Sequence, residues 1–293
     1  MIKKSILTAL ALLIAYHFLF PHLPRRYFQL SGQQRDNYFR AQRYAYELSS
    51  GTTLILGSSM SLRLNEQMLG PGYFKLALGG GSVFTGLEII RLKGAHPPLV
   101  LIEVNQLGWD IDHELLHDLF SPWLSGLRNY SPIFKEEGRP ANFVNGIVEA
   151  FVRKSCRWSA RWSGRDKAES GSGVNPELFA RLMRMYKEYF ATAPPGLSDK
   201  AKKLGDYVDA LTSSGSVCVL YEMPIDSSLA NLNAPRAVRE AAEARFPKNK
   251  YHWLEFTQDH RYQTSDGIHL TQSEADRITE TMVHETSQID RLR

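Results

Sequence analysis

Cysteine is nearly missing: Cys156 and Cys218 are the only two in 293 residues. A disulfide framework is therefore not indicated, and Cys218, inside Val217-Cys218-Val219-Leu220, reads as a buried thiol. A dominant charge is missing too, since 35 Lys and Arg against 31 Asp and Glu leave a net charge of only +4. No arginine-rich helix is interleaved with aromatics in a nucleic-acid pattern, so no nucleic-acid partner is expected. The rest is ordinary globular composition, with 43% hydrophobic and 23% charged residues, enough for one sizeable core plus attachments.

The amino terminus departs from that average. Met1-Ile2-Lys3-Lys4 leads into an apolar run from Ile6 to Phe20. Such a lysine-tagged run is a membrane-targeting segment. No small-x-small cleavage site follows it; Tyr16-His17-Phe18-Leu19-Phe20-Pro21 and then Arg25-Arg26 do, which favours an uncleaved signal anchor over residues 1–24. The run is short for a bilayer, so Ile2, the aromatics and snorkelling lysines have to extend it. Lys3 and Lys4 argue for a cytoplasmic amino terminus, against the weaker opposing pull of Arg25, Arg26 and Arg35. A single-pass protein with its globular part outside the cytoplasm is the expectation.

Residues 25–50 read as a stalk and a helix leading into the main domain, residues 51–293. Strands are expected at Thr52–Leu56, Tyr73–Leu78, Leu99–Val104, Ser216–Tyr221 and Tyr251–Phe256, each a short apolar run. Helices are expected at Leu62–Leu69, Val83–Lys93, Pro176–Phe190, Ser198–Ser213, Pro235–Arg245 and Thr271–Thr286, with Thr271 as cap and Glu274 three residues on. Strands alternating with helices through glycine-rich turns predict an α/β fold, a three-layer sandwich around a five-stranded parallel, flavodoxin-like sheet. The pattern degrades at about residues 106–175, read as a helical insertion after strand three. Its aromatics (Trp109, Phe120, Trp123, Tyr130 and others) precede Arg153, Lys154, Arg157, Arg161, Arg165 and Lys167. That combination suits a membrane surface or a partner protein, or an insertion that packs its rings on the core and solvates its arginines. Ala168 to Asn175 reads as a mobile loop or lid.

In an open parallel sheet, sites form beyond the carboxyl ends of the strands. Ser58 and Ser59 end strand one, Gly79 to Gly81 end strand two, Asn105 ends strand three, and Asp266 and His269 follow strand five. These groups can meet on one edge. A serine hydroxyl is a poor nucleophile until a base takes its proton, and an imidazole base needs a carboxylate to fix its tautomer.

Gly57-Ser58-Ser59, the glycine turn after strand two and Asp266-Gly267-Ile268-His269 before the last helix resemble the blocks of the SGNH (GDSL-type) hydrolase superfamily. The resemblance spans roughly Thr52 to Thr286 and implies that Ser59 is the nucleophile, His269 the general base and Asp266 its orienting carboxylate. Ser58 stands where the family usually has aspartate. It further implies an oxyanion hole from the backbone N–H of Ser59, that of Gly81 (Gly79 and Gly80 being the neighbouring choices) and Asn105, although Glu103-Val104-Asn105-Gln106 departs from the family's Gly-x-Asn-Asp block. Membrane-anchored members with Gly-Ser-Ser look like proteins of polysaccharide O-acetylation and teichoic acid D-alanylation. The implied function is a serine acyltransferase at a bacterial inner (cytoplasmic) membrane, facing the periplasm or exterior. It would move an acyl group, acetyl first, to an envelope polysaccharide beside a multispanning membrane acyltransferase. An SGNH esterase or deacetylase with water as acceptor, and a non-catalytic accessory subunit, are the alternatives. No cofactor or metal is implied.

Other groups are read more plainly. His113 and His117 would share a helix face and, with Asp110 and Asp112, could form a metal cluster, but a polar helix near the cleft mouth is preferred. His252 and His260 read as surface or supporting groups, and Ser61 as the cap of the next helix.

Overall fold

The computed structural model describes residues 2–23, 32–49, 51–148, 151, 176–256 and 261–291. Cys156, the basic residues from Arg153 to Lys167, the expected lid at Ala168 to Asn175 and His260 lie outside them. The chain forms two compact units, one of Met1–Tyr46 with His117–Gly173 and one of Glu47–Leu116 with Val174–Arg293.

The second unit holds one all-parallel sheet of β1 (Thr53–Gly57), β2 (Tyr73–Ala77), β3 (Leu99–Glu103), β4 (Val217–Tyr221) and β5 (His252–Leu254), in the order β2-β1-β3-β4-β5. This is the doubly wound order of the flavodoxin type, in which the strand sequence reverses at β1/β3. β1 and β3 are buried at every position, which explains the apolar runs Leu54–Leu56 and Leu99–Ile102: helices cover both faces, so no position is polar for solvent's sake. Right-handed crossovers put the β1–β2 connection on one face and the following connections on the other. The side chains agree. Asn65, ahead of the Glu66–Leu69 helix, donates to Asp276 Oδ1 at 2.8 Å on the Gln272–Arg291 helix. On the Leu197–Ser213 helix, Tyr207 instead meets Phe84 and Glu88 of Val83–Lys93.

Several boundaries differ from expectation. Strand one runs one residue further, through Gly57, because Leu78 N–H donates to Gly57 O at 2.9 Å and prolongs the ladder. The helix expected at Leu62–Leu69 divides into a 3₁₀ turn, Ser61–Arg63, and the short Glu66–Leu69 helix, because Asn65 accepts from the Gln67 N–H and starts the helix anew. β5 is only three residues long. The register places Gly57, Glu103 and Tyr221 in a row at the carboxyl edge of β1, β3 and β4.

In the first unit the Ile2–Leu19 helix has no buried residue, and Ile2–His22 is long and apolar enough to cross a membrane. Near its end the Tyr16 hydroxyl donates to Gly138 O at 3.0 Å and His17 Nδ1 lies 2.7 Å from Ser131 Oγ. The insertion therefore shares a unit with the apolar helix. It contributes the Pro122–Tyr130 helix and helical residues 140–148.

Candidate active site

β1 delivers the chain to the sheet edge as Gly57-Ser58-Ser59. Gly57 is required there for space: a Cβ would collide with the Glu103 carboxyl and with Ser61 Oγ. Ser59 then emerges half-buried, at the start of a turn whose next residues enter the 3₁₀ helix. Its N–H has no hydrogen-bond partner among the described residues.

The opposing loop carries Asp266 and His269. It is a tight excursion closed by an antiparallel bridge between Thr264 and Leu270 and by Ser265 N–H donating to His269 O at 2.7 Å. At its tip Gly267 takes φ +106°, a conformation open to glycine and strained for other residues. Its N–H donates to Thr264 Oγ1, and its carbonyl accepts from the Asp226 N–H at 2.9 Å. One carboxylate oxygen of Asp266 accepts the N–H groups of Ile268 (3.1 Å) and His269 (2.8 Å), so the loop itself fixes the side chain.

The remaining oxygen reaches His269 Nδ1 at 2.6 Å, and His269 Nε2 lies 2.8 Å from Ser59 Oγ. A carboxylate accepts only, so Nδ1 carries the proton and Nε2 is left as acceptor for the serine hydroxyl. Desolvation pushes the Asp266 pKa up, but the hydrogen bonds from His269 and the two loop N–H groups outweigh it and hold the carboxyl below its ordinary value. Asp266, His269 and Ser59 are thus joined in one line.

Beneath the serine turn lies a polar network that sequence reasoning missed. Glu103, buried at the end of β3, accepts Ser58 N–H at 3.0 Å and Ser58 Oγ at 2.7 Å, and bonds Ser61 Oγ. Ser61 Oγ is 2.7 Å from the Tyr221 hydroxyl, which lies 3.1 Å from Leu56 O. Ser61 is therefore no helix cap: Met60 holds the cap position, and the Ser61 hydroxyl turns inward instead. Burial pushes the Glu103 carboxyl up, against the lowering effect of its serine donors. The Ser58 and Ser61 hydroxyls both donate to the Glu103 carboxyl, and the Tyr221 hydroxyl donates to the Leu56 carbonyl. The one available signal was Glu103 itself, a charged residue closing the otherwise apolar Leu99-Val100-Leu101-Ile102.

The other oxyanion candidates are occupied differently. Gly81 N–H donates to Leu78 O at 2.9 Å, closing a four-residue turn in which Gly80 has φ +63°. The Gly80 N–H has no partner among the described residues. Asn105 binds both main-chain groups of Met223, its Nδ2 donating to the carbonyl at 2.9 Å and its Oδ1 accepting the N–H at 2.7 Å. It pins the ends of β3 and β4 together and keeps one amide hydrogen. A largely apolar cavity of about 320 Å³ opens alongside, lined by Met60, Asn105, Trp109, Phe190, Ile225 and Val238 among others.

Residues 113–117 are His113-Glu114-Leu115-Leu116-His117, the residue order of zinc helices. His113, Glu114 and His117 are exposed, Leu115 and Leu116 buried. Asp112 accepts the Leu115 N–H as a helix cap, and Asp110 pairs with Lys200. Among the described residues no group of three or more His, Cys, Asp or Glu gathers to hold a metal. His252 is exposed, and Cys218 is a buried free thiol whose pKa desolvation pushes up to about 11. No family model and no curated protein matches the chain.

Proposed function

We propose that the protein is a membrane-anchored serine acyltransferase of SGNH type that works outside the cytoplasm and passes an acyl group, acetyl first, to a hydroxyl of an envelope polysaccharide. The observation that carries this reading is the line Ser59 Oγ, His269 Nε2, His269 Nδ1, Asp266 Oδ2, with steps of 2.8 Å and 2.6 Å between side chains. Ser59 Oγ attacks the acyl carbon as His269 Nε2 takes its proton. The Asp266 carboxylate stabilises the imidazolium that forms. The oxyanion collects at the Ser59 N–H, with the Gly80 N–H as second donor. Collapse returns the proton from Nε2 to the leaving group and leaves acyl-Ser59. An acceptor hydroxyl then gives its proton to Nε2, attacks the acyl carbon and releases Ser59.

The neighbouring cavity supports an acyl substrate, since its apolar walls suit a hydrocarbon tail and its volume of about 320 Å³ has room beyond an acetyl group. The apolar Ile2–His22 helix supports the anchor. A multispanning membrane acyltransferase is the partner that would hand over the acyl group.

The test is Ser59→Ala in the full-length chain. Acyl release from a chromogenic acetyl ester and polymer acylation in cells should both fall to background, and the acyl adduct on Ser59 should vanish from mass spectra of quenched protein. Unchanged release and acylation would refute catalysis. Free acetate as sole product, whatever glycan is added, would refute transfer.

A further inference from the structure

The insertion's helices are inverted. On Pro122–Tyr130 the side chain turned inward is Arg128, at 0% exposure, with Nη2 2.9 Å from Asp118 Oδ2 and Nη1 2.5 Å from the Asp118 carbonyl. Turned outward are Trp123 (87% exposed), Leu127 and Tyr130 (84%), at the i, i+4, i+7 spacing of one helix face. Residues 140–148 repeat the arrangement: Asn142 is buried and bonds the Glu136 carbonyl, while Val144, Ile147 and Val148 are exposed at i, i+3, i+4. A soluble unit buries such stripes, because water around them costs about 25 cal/mol per Å². Two outward stripes in one small unit need an apolar neighbour.

The anchor says which. Eighteen residues from Ile2 to Leu19 make a helix of about 27 Å, barely the roughly 30 Å of the hydrocarbon layer. With Lys3 at the cytoplasmic boundary, Tyr16 and His17 stand only about 20 Å along the axis, within the far leaflet or its headgroup zone. Those two residues are the ones bonded to Gly138 and Ser131. The hydrogen bonds therefore hold the insertion against the outer leaflet, and Trp and Tyr are the side chains favoured at its water boundary.

We infer that the exposed faces of Pro122–Tyr130 and residues 140–148 lie in the outer face of the lipid bilayer, so that the insertion is a second, interfacial membrane attachment beside the anchor. The inference rests on the anchor of the proposed function but not on its chemistry. Lipid is favoured over a protein partner because the anchor guarantees that lipid is there.

The experiment uses the full-length chain with Cys156→Ser and Cys218→Ala, spin-labelled at Leu127→Cys or, separately, Val144→Cys, in vesicles of phosphatidylethanolamine and phosphatidylglycerol. Flotation with the vesicles reports the anchor; collision of the label with oxygen or with a water-soluble nickel chelate reports the stripe. The expected result is flotation, with oxygen accessibility exceeding nickel accessibility several-fold at both sites and the preference reversing for a control label at Glu240→Cys, an exposed position of the second unit. Flotation with nickel-accessible labels would overturn the inference while leaving the anchor intact. Labels that are nickel-accessible in pure lipid but shielded in native membranes would assign the stripes to a protein and overturn it equally. Failure to float would overturn both.

Discussion

The carboxyl of Glu103 occupies the space a side chain at Gly57 would need. The last residue of β1 is thus glycine because the last residue of β3 is a buried acid. The same acid holds Ser58 and Ser61, the residues on either side of the Ser59–Met60 step. Gly57→Ala should therefore displace the serine turn rather than merely crowd the core. Overpacking of this kind costs about 1–3 kcal/mol, measurable as a lowered denaturant midpoint. Ester turnover should drop more than stability alone explains, because the affected turn carries Ser59, the proposed nucleophile.

Glu103 itself separates two roles by its variants. Glu103→Ala strands the buried Ser58 N–H and removes the acceptor of the Ser58 and Ser61 hydroxyls, and should cost about 3 kcal/mol or more. Glu103→Gln keeps the volume and the acceptor, and should retain most activity. The pH dependence has a definite sign. The folded-state pKa is raised by burial, so above the unfolded carboxyl's ordinary value of about 4.3 the unfolded chain releases a proton that the folded chain keeps. Wild-type stability then falls as pH rises toward the folded pKa, a fall that Gln lacks. Denaturant midpoints of the two proteins should diverge in favour of Glu103→Gln with increasing pH; parallel curves would mean an ionised Glu103.

The α/β order and the approach of Ser59, His269 and Asp266 were legible for a physical reason: strands buried on both faces are continuous apolar runs, and the ends of such strands are where small and polar residues cluster. Asp266 and His269 lie three residues apart, so local loop geometry brings them together. Their meeting with Ser59, 210 residues away, follows from the sheet edge. Glu103 was illegible because its partners Ser58 and Ser61 lie in the turn after β1, and Tyr221, which bonds Ser61, ends β4; only the register Glu103↔Tyr221 beside Gly57 assembles them. Ser61 was misread for the same reason, since a hydroxyl at a helix start usually caps locally and here a buried acid outcompetes the backbone. The insertion stayed open between an outward face for membrane or partner and rings packed on the core, because periodicity gives an apolar face without saying whether it points in or out.

Asp266→Asn tests the orienting role. An amide can donate to Nδ1, which would then present its acceptor side and leave Nε2 protonated, the wrong tautomer for accepting from Ser59. In serine triads this change lowers turnover roughly 10⁴-fold, and acyl-Ser59 formation should fall accordingly with substrate binding kept. Stability supplies a second readout. The folded carboxyl is held below its usual pKa, so its contribution is present above about pH 4 and is lost as pH falls through the depressed value. The midpoint difference between wild type and Asp266→Asn should be constant near neutrality and vanish in acid.

Gly267→Ala isolates the loop from the chemistry. With φ at +106°, an alanine pays conformational strain of about 1–3 kcal/mol whatever room surrounds it. The added methyl would meet Met183 Sδ at 2.5 Å and Leu229 Cδ1 at 3.1 Å, but the methionine end can swing away, so the backbone decides the outcome. If the loop relaxes φ, it must give up Gly267 O···Asp226 N–H or the two N–H bonds that fix Asp266. Loss of the latter frees the carboxylate and loosens His269 against Ser59. Turnover should then fall at least tenfold while KM stays near wild type, because no group on the substrate's side has changed. A compensating variant follows from the same geometry: Met183→Ala should remove the steric part and restore little, since the strain lies in φ. Full rescue by Met183→Ala would show instead that crowding, rather than backbone conformation, fixes glycine at this position.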